Sequence, residues 1–175
     1  MQNAPDLASA LAYSRYATAM LGARPDERAR LEATVDAPFA WDSAVATIDA
    51  CVERGEAEAL ASALRTLRLR VFLHTLSRDL TTRSGLPEVC LATTTLAETA
   101  LRAAIGQVRT GMTERELAEI WEREMRAAGG APSFASILAG GPNPANPHHS
   151  NGDRAFQPGD LIVMDGGALC EGYAS

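Results

Sequence analysis

Apolar positions in the first hundred residues recur three and four apart and do not alternate. The clearest run spans Glu56 to Leu76, where Leu60, Leu64, Leu67, Val71 and Leu76 form a helical stripe, with Arg65, Arg68 and Arg70 beside it. An alanine-rich run from Leu7 to Met20 predicts another helix. Arg24-Pro25-Asp26 breaks it before a second helix through Leu31. Pro38-Phe39 to Asp42 reads as a turn into a helix from Ser43 to about Arg54, and Gly85 precedes a last helix from about Pro87 towards Ile105. No β-rich run occurs, so residues 1–104 read as a small α-helical bundle.

The pattern changes over residues 105–175. Thr113 with Glu116 fits a capping box, which starts a helix at Glu114. Leu117, Ile120, Trp121 and Met125 give that helix one apolar face, and Gly129-Gly130 suits its end. Phe134 to Ala139 predicts a short strand, and 140–156 a loop of Gly, Pro, Asn and His. Gln157-Pro158-Gly159-Asp160 fits a type II turn. It feeds Leu161-Ile162-Val163-Met164, a continuous apolar run expected of a strand buried on both faces.

Composition narrows the chemistry. The chain has 175 residues, 46% of them hydrophobic, enough for a packed core. A net charge of −6 gives no electrostatic case for nucleic acid or an anionic membrane surface. All 16 basic residues are arginine, which excludes lysine Schiff-base chemistry and a lysine-bearing phosphate loop. Cys51, Cys90 and Cys170 have no zinc spacing and are expected to be buried, reduced thiols. The N-terminal stretch reads neither as a signal peptide nor as a membrane span.

Asp165 is the strongest candidate for chemistry. An acid closing a buried apolar strand is costly unless it is exposed in a cleft, hydrogen-bonded or bound to a metal; the alternative is a turn-forming Asp ahead of two glycines. His148 and His149 close the loop Pro142-Asn143-Pro144-Ala145-Asn146-Pro147 and, on the residues alone, read as solvated loop histidines. Asp153 and Asp160 read as loop and turn residues. Glu114, Glu116, Glu122 and Glu124 read as the solvated acids of a capped helix. Arg78-Asp79 reads as an ion pair or cap ending the long helix, or as a contact to a regulatory partner or nucleotide. His74 reads as a packed or surface residue.

Asp165-Gly166-Gly167-Ala168, then Gly172-Tyr173-Ala174-Ser175, preceded by the Pro/Asn/His loop, resemble the M24-type metal-dependent aminopeptidases of the pita-bread fold. That family includes the methionine and Xaa-Pro aminopeptidases and the prolidases. The resemblance implies that Asp165 is a first metal ligand, that His148 is the catalytic histidine facing the scissile carbonyl, and that His148 and Tyr173 bind a peptide substrate. It also implies Mn, Co or Zn as a divalent cofactor, and two-metal hydrolysis of N-terminal residues. A second Asp, a His and two Glu would complete that metal set. The chain is expected to stop short of them, to bind metal poorly, and to be inactive.

Ser14-Arg15-Tyr16-Ala17, Leu67-Arg68-Leu69-Arg70-Val71-Phe72, Arg78-Asp79-Leu80, Leu86-Pro87-Glu88-Val89 and Leu96-Ala97-Glu98 resemble the N-terminal segment of bacterial glutamine-synthetase adenylyltransferase. This implies nitrogen regulation, with glutamine synthetase as a partner, but the Gly-Ser motif and paired aspartates of nucleotidyl transfer do not follow. Both resemblances imply a bacterial cytoplasmic protein. The expected architecture is an α-helical N-terminal bundle (1–104) joined to an incomplete α+β, partial pita-bread segment (105–175). Three readings remain open: a truncated aminopeptidase, an adenylyltransferase-derived piece, and a non-catalytic composite.

Overall fold

The structure, a computed structural model, describes residues 6–127, 130–170 and 173–174. The chain is rich in helix, with few and short strands. It divides into two compact units, Met1–Gly106 and Gln107–Ser175. No helix among the described residues is long and apolar enough to cross a membrane.

The first unit holds α1 (Leu7–Ala12), α2 (Arg15–Gly22), α3 (Pro25–Thr34), α4 (Asp42–Arg54), α5 (Ala57–Leu80) and α6 (Leu86–Ile105). The single helix expected from Leu7 to Met20 is two helices. Ser14 takes an extended backbone, and its hydroxyl accepts from the Ala17 N–H, so a serine cap restarts the helix. The alanine-rich pattern hides this break because alanine suits both segments.

Two apolar clusters share α5. Leu60, Leu67 and Val71 pack with Ile48 and Cys51 of α4 and Ala92 and Ala103 of α6. Leu73 packs with Leu11, Ala17, Leu21, Leu31 and Val35, with Leu69 and Leu76 at the margin. Leu76 therefore serves a different cluster from the rest of the stripe expected along this helix. Cys51 is buried as expected, but Cys90 is exposed. The inward positions of α6 include Ala92, Thr99 and Ala103, and Cys90 lies off that face.

His74 is packed rather than ligating. Its Nε2 lies 3.2 Å from the Thr34 carbonyl and its ring meets Phe39, and burial holds its pKa below the usual value. Arg78, 4% exposed, pairs with Glu88 and donates to the carbonyls of Val35 (2.8 Å) and Arg83 (3.0 Å). It thereby ties the end of α5 to the start of α6, while its sequence neighbour Asp79 is exposed.

The second unit holds α7 (Glu114–Ala127), β1 (Ala131–Pro132), β2 (Ile137–Gly140), a 3-10 turn (Asn143–Ala145), β3 (Ile162–Asp165), β4 (Ala168–Cys170) and β5 (Tyr173–Ala174). β2 and β3 form an antiparallel pair, with Ile137 opposite Asp165 and Gly140 opposite Ile162. β1, β4 and β5 form a second antiparallel sheet. The core is Leu117, Ala118, Leu138 and Phe156, with Ile162 and Met164 against it. Full burial of a side chain the size of Leu138 is worth about 1.5–3 kcal/mol.

β3 corrects the expectation of a strand buried on both faces. Only its Ile162 and Met164 side packs on the core; Val163 is 39% exposed and Leu161, just before the strand, 74%. A two-stranded antiparallel pair covers one face, and β3 follows that alternation. The type II turn forms as expected: Gly159 takes φ +87° and the Asp160 N–H donates to the Gln157 carbonyl.

Candidate functional site

The site grows from the N-terminus of α7. The capping box is present: the Thr113 N–H donates to Glu116 Oε2 (2.8 Å), and the Glu116 N–H to Thr113 Oγ1 (3.2 Å). The N–H groups of Glu114 and Arg115, which lack partners within the helix, donate instead to the carbonyls of Arg154 and Gly152. The loop is thus laid across the helix end.

Glu114 is not the solvated acid the sequence suggested. Its residue is 0% exposed, and its carboxylate accepts four hydrogen bonds. Oε1 takes the Gly140 N–H (2.9 Å) and Asn143 Nδ2 (2.8 Å). Oε2 takes His149 Nε2 (2.7 Å) and the Gly152 N–H (3.1 Å). Burial pushes this carboxyl upward, but the four donors outweigh it and hold it at about 2, against an ordinary 4.5. One signal was available in the sequence: Glu114 stands three and four residues before Leu117 and Ala118, both buried, and so shares their face of the helix.

The other four acids of this helix, Glu116, Glu119, Glu122 and Glu124, remain at its surface or partly covered. Asp153 pairs with exposed Arg115, and Asp160 accepts from Arg154 (2.7 and 3.0 Å) and from the Gln157 N–H, as loop and turn residues do.

His148 and His149 separate in role despite adjacency. His149 is partly buried against Glu114. His148 is exposed, with its backbone N–H donating to Asn146 Oδ1. Asn151 straps the loop to β2, accepting from the Leu138 N–H (2.8 Å) and donating to the Ser136 carbonyl (2.7 Å).

Asp165 ends β3 with an exposed side chain. Beside it, Gly166 lies against two buried polar groups without hydrogen-bond partners, Trp121 Nε1 and Ser136 Oγ. The side chains of Tyr173 and Cys170 lie outside the described residues. Among the described residues no group of three or more His, Cys, Asp or Glu could hold a metal ion. The described residues do not fit a dinuclear centre.

A model of metallopeptidase family M24 matches residues 91–175. The match begins inside α6, upstream of residue 105, whereas the compact units divide after Gly106. A Xaa-Pro dipeptidase from Pyrococcus horikoshii is 40% identical over 81 residues, 46% of this chain and 23% of that protein. The prolidase of Pyrococcus furiosus, a solved structure, is 40% identical with a TM-score of 0.42, and the match covers 45% of this chain and 25% of that one. A bifunctional glutamine synthetase adenylyltransferase/adenylyl-removing enzyme from Chromobacterium violaceum is 38% identical over 99 residues, 57% of this chain and 11% of that protein. The chain therefore resembles two enzyme families, and spans about a quarter of the peptidase relative's length (23%) and about a tenth of the other's (11%).

Proposed function

We propose that residues 91–175 are part of a metal-dependent aminopeptidase or dipeptidase fold acting at the N-terminus of peptides, Xaa-Pro peptides among them. In this reading Asp165 is a metal-ligand position, His148 the donor facing the scissile carbonyl, and Tyr173 a substrate contact. The observation that carries it is the match of the M24 family model to residues 91–175, the segment that holds the loop and the strand-end acid, beside the 40% identity over 81 residues to a Xaa-Pro dipeptidase. Two features of the geometry support it. Asp165 is exposed at the end of a core-packed strand, and His148 projects from a loop fastened on both sides, by Glu114 and by Asn151. An imidazole held there can donate to a carbonyl oxygen as charge develops on it.

The described residues offer too few ligands for a metal pair, so this chain by itself is inactive in our reading. Purified chain with added Mn²⁺ or Co²⁺ should not turn over Met- or Xaa-Pro-peptides, and calorimetry should show weak metal binding or none. Turnover abolished by Asp165→Ala would overturn the inactivity. The site assignment is tested by a chimera in which residues 91–175 replace the matching segment of the Pyrococcus horikoshii dipeptidase. The chimera should hydrolyse Xaa-Pro dipeptides, and His148→Ala within it should lower kcat by about 10²–10³-fold, the scale for losing one transition-state donor. A folded, metal-loaded chimera indifferent to His148→Ala and Asp165→Ala would refute the assignment.

The second reading rests on the adenylyltransferase likeness over 99 residues. There the first unit, as a helical bundle, engages glutamine synthetase in nitrogen regulation. Co-purification with glutamine synthetase would favour it; absence of binding at micromolar concentrations would remove it.

A further inference from the structure

We propose that Glu114 is a positioning residue, a buried carboxylate clamp that fixes the histidine loop and so presents His148. The donors reach it from Gly140 at the end of β2, Asn143 in the 3-10 turn, His149, and Gly152 at the loop's far end. One side chain thus gathers the beginning, middle and end of the segment that carries His148. Each carboxylate oxygen receives two of the four donors, so both oxygens must be acceptors. A glutamine, though of the same shape, accepts at one oxygen only; its NH₂ would face two donors. An aspartate is one methylene shorter and cannot span the same four groups.

The ionised carboxylate has no proton to give, so His149 donates from Nε2. That locks His149 inward. His148, next in the chain and held at its own N–H by Asn146, is left with its ring in solvent. Asn151 fastens the loop to β2 independently, so loss of the clamp frees the His148 stretch without detaching the whole loop. The bearing of the clamp on catalysis rests on the peptidase reading; the clamp itself does not, and its test needs no turnover.

The test is diethyl pyrocarbonate modification of the full chain, read per histidine by mass spectrometry, with amide hydrogen exchange alongside. In the wild type His149 should react about tenfold more slowly than His148, the protection expected of one charge-assisted hydrogen bond. In Glu114→Gln the two rates should converge and the Gly140 and Gly152 amides should lose protection, while the Leu117 and Ala118 amides of α7 keep theirs. Wild-type His149 reacting as fast as His148 would overturn the clamp, as would a Gln variant that retains the contrast. Where the Gln variant does not fold, the wild-type contrast alone decides.

Discussion

Acid is expected to destabilise the C-terminal unit through Glu114. Its carboxyl sits at about 2 in the folded chain against an ordinary 4.5. The folded state therefore binds this proton less tightly than the unfolded one. The stabilisation is complete above the ordinary value and is lost as pH falls through the window from 4.5 to about 2. The gap between the two values corresponds to roughly 3 kcal/mol. The charged and titratable groups around the carboxylate are His149, which donates to it, and Arg154, which is paired with Asp160. Asp160 and Glu116 are also held below their ordinary values, by Arg154 and by the Thr113 N–H respectively, from more exposed positions.

A comparison with Glu114→Gln isolates the one group. Trp41 and Trp121 are the only tryptophans, so Trp41→Phe leaves Trp121 of α7 as the fluorescent reporter of the second unit. Urea unfolding in that background should show Glu114→Gln less stable by roughly 3 kcal/mol near neutral pH, with the difference shrinking as pH falls towards 2. A constant difference across the whole range would mean that the carboxylate is not held by its donors. The reasoning would then fail at its first step.

Other perturbations test the surrounding packing. Arg78→Ala leaves the Val35 and Arg83 carbonyls and Glu88 without their partner and should cost the first unit roughly 3 kcal/mol. Arg78→Lys, with charge but no fork, should recover less than half; full recovery in urea unfolding would refute the bidentate role. Gly166→Ala would place a Cβ 2.8 Å from Trp121 Nε1 and 3.2 Å from Ser136 Oγ, both buried. Its overpacking cost should be about 1–3 kcal/mol, and a thermal midpoint equal to wild type would show that the neighbours yield freely.

Features encoded within one turn of chain were legible in the sequence. The Thr113–Glu116 box, the Gly159 turn and the start of α7 depend on residues two to four apart, and all are present. The structure departs from the local pattern where the deciding partner is distant or the local signal is ambiguous. Alanine fits either side of the Ser14 cap, so Leu7–Met20 reads as one helix. Exposure of Val163 depends on which strand pairs with β3, a fact absent from its own apolar run. The partners of Glu114 lie 26 to 38 residues away, so its local surroundings, a capped helix start rich in acids, suggested solvent.

The placement of Asp165 and of His148 depends on one short strand. β2 is four residues long; Ile137 at its start pairs with Asp165, and Gly140 at its end donates to Glu114. Between them Leu138, fully buried, receives the Asn151 strap on its N–H and packs on Leu117. Three residue steps along an extended chain span about 10 Å. The strand-end acid and the histidine loop are therefore referenced to the same rigid segment, and neither can shift without breaking a ladder bond, the clamp or the strap. Replacing Leu138 with alanine should loosen both at once. A substitution at Asn151 should release the loop and leave the Asp165 register with Ile137 intact. Amide exchange at Asp165 and Gly152 in the two variants separates these outcomes, and equal deprotection of Asp165 in both would show that the strand is not the common reference.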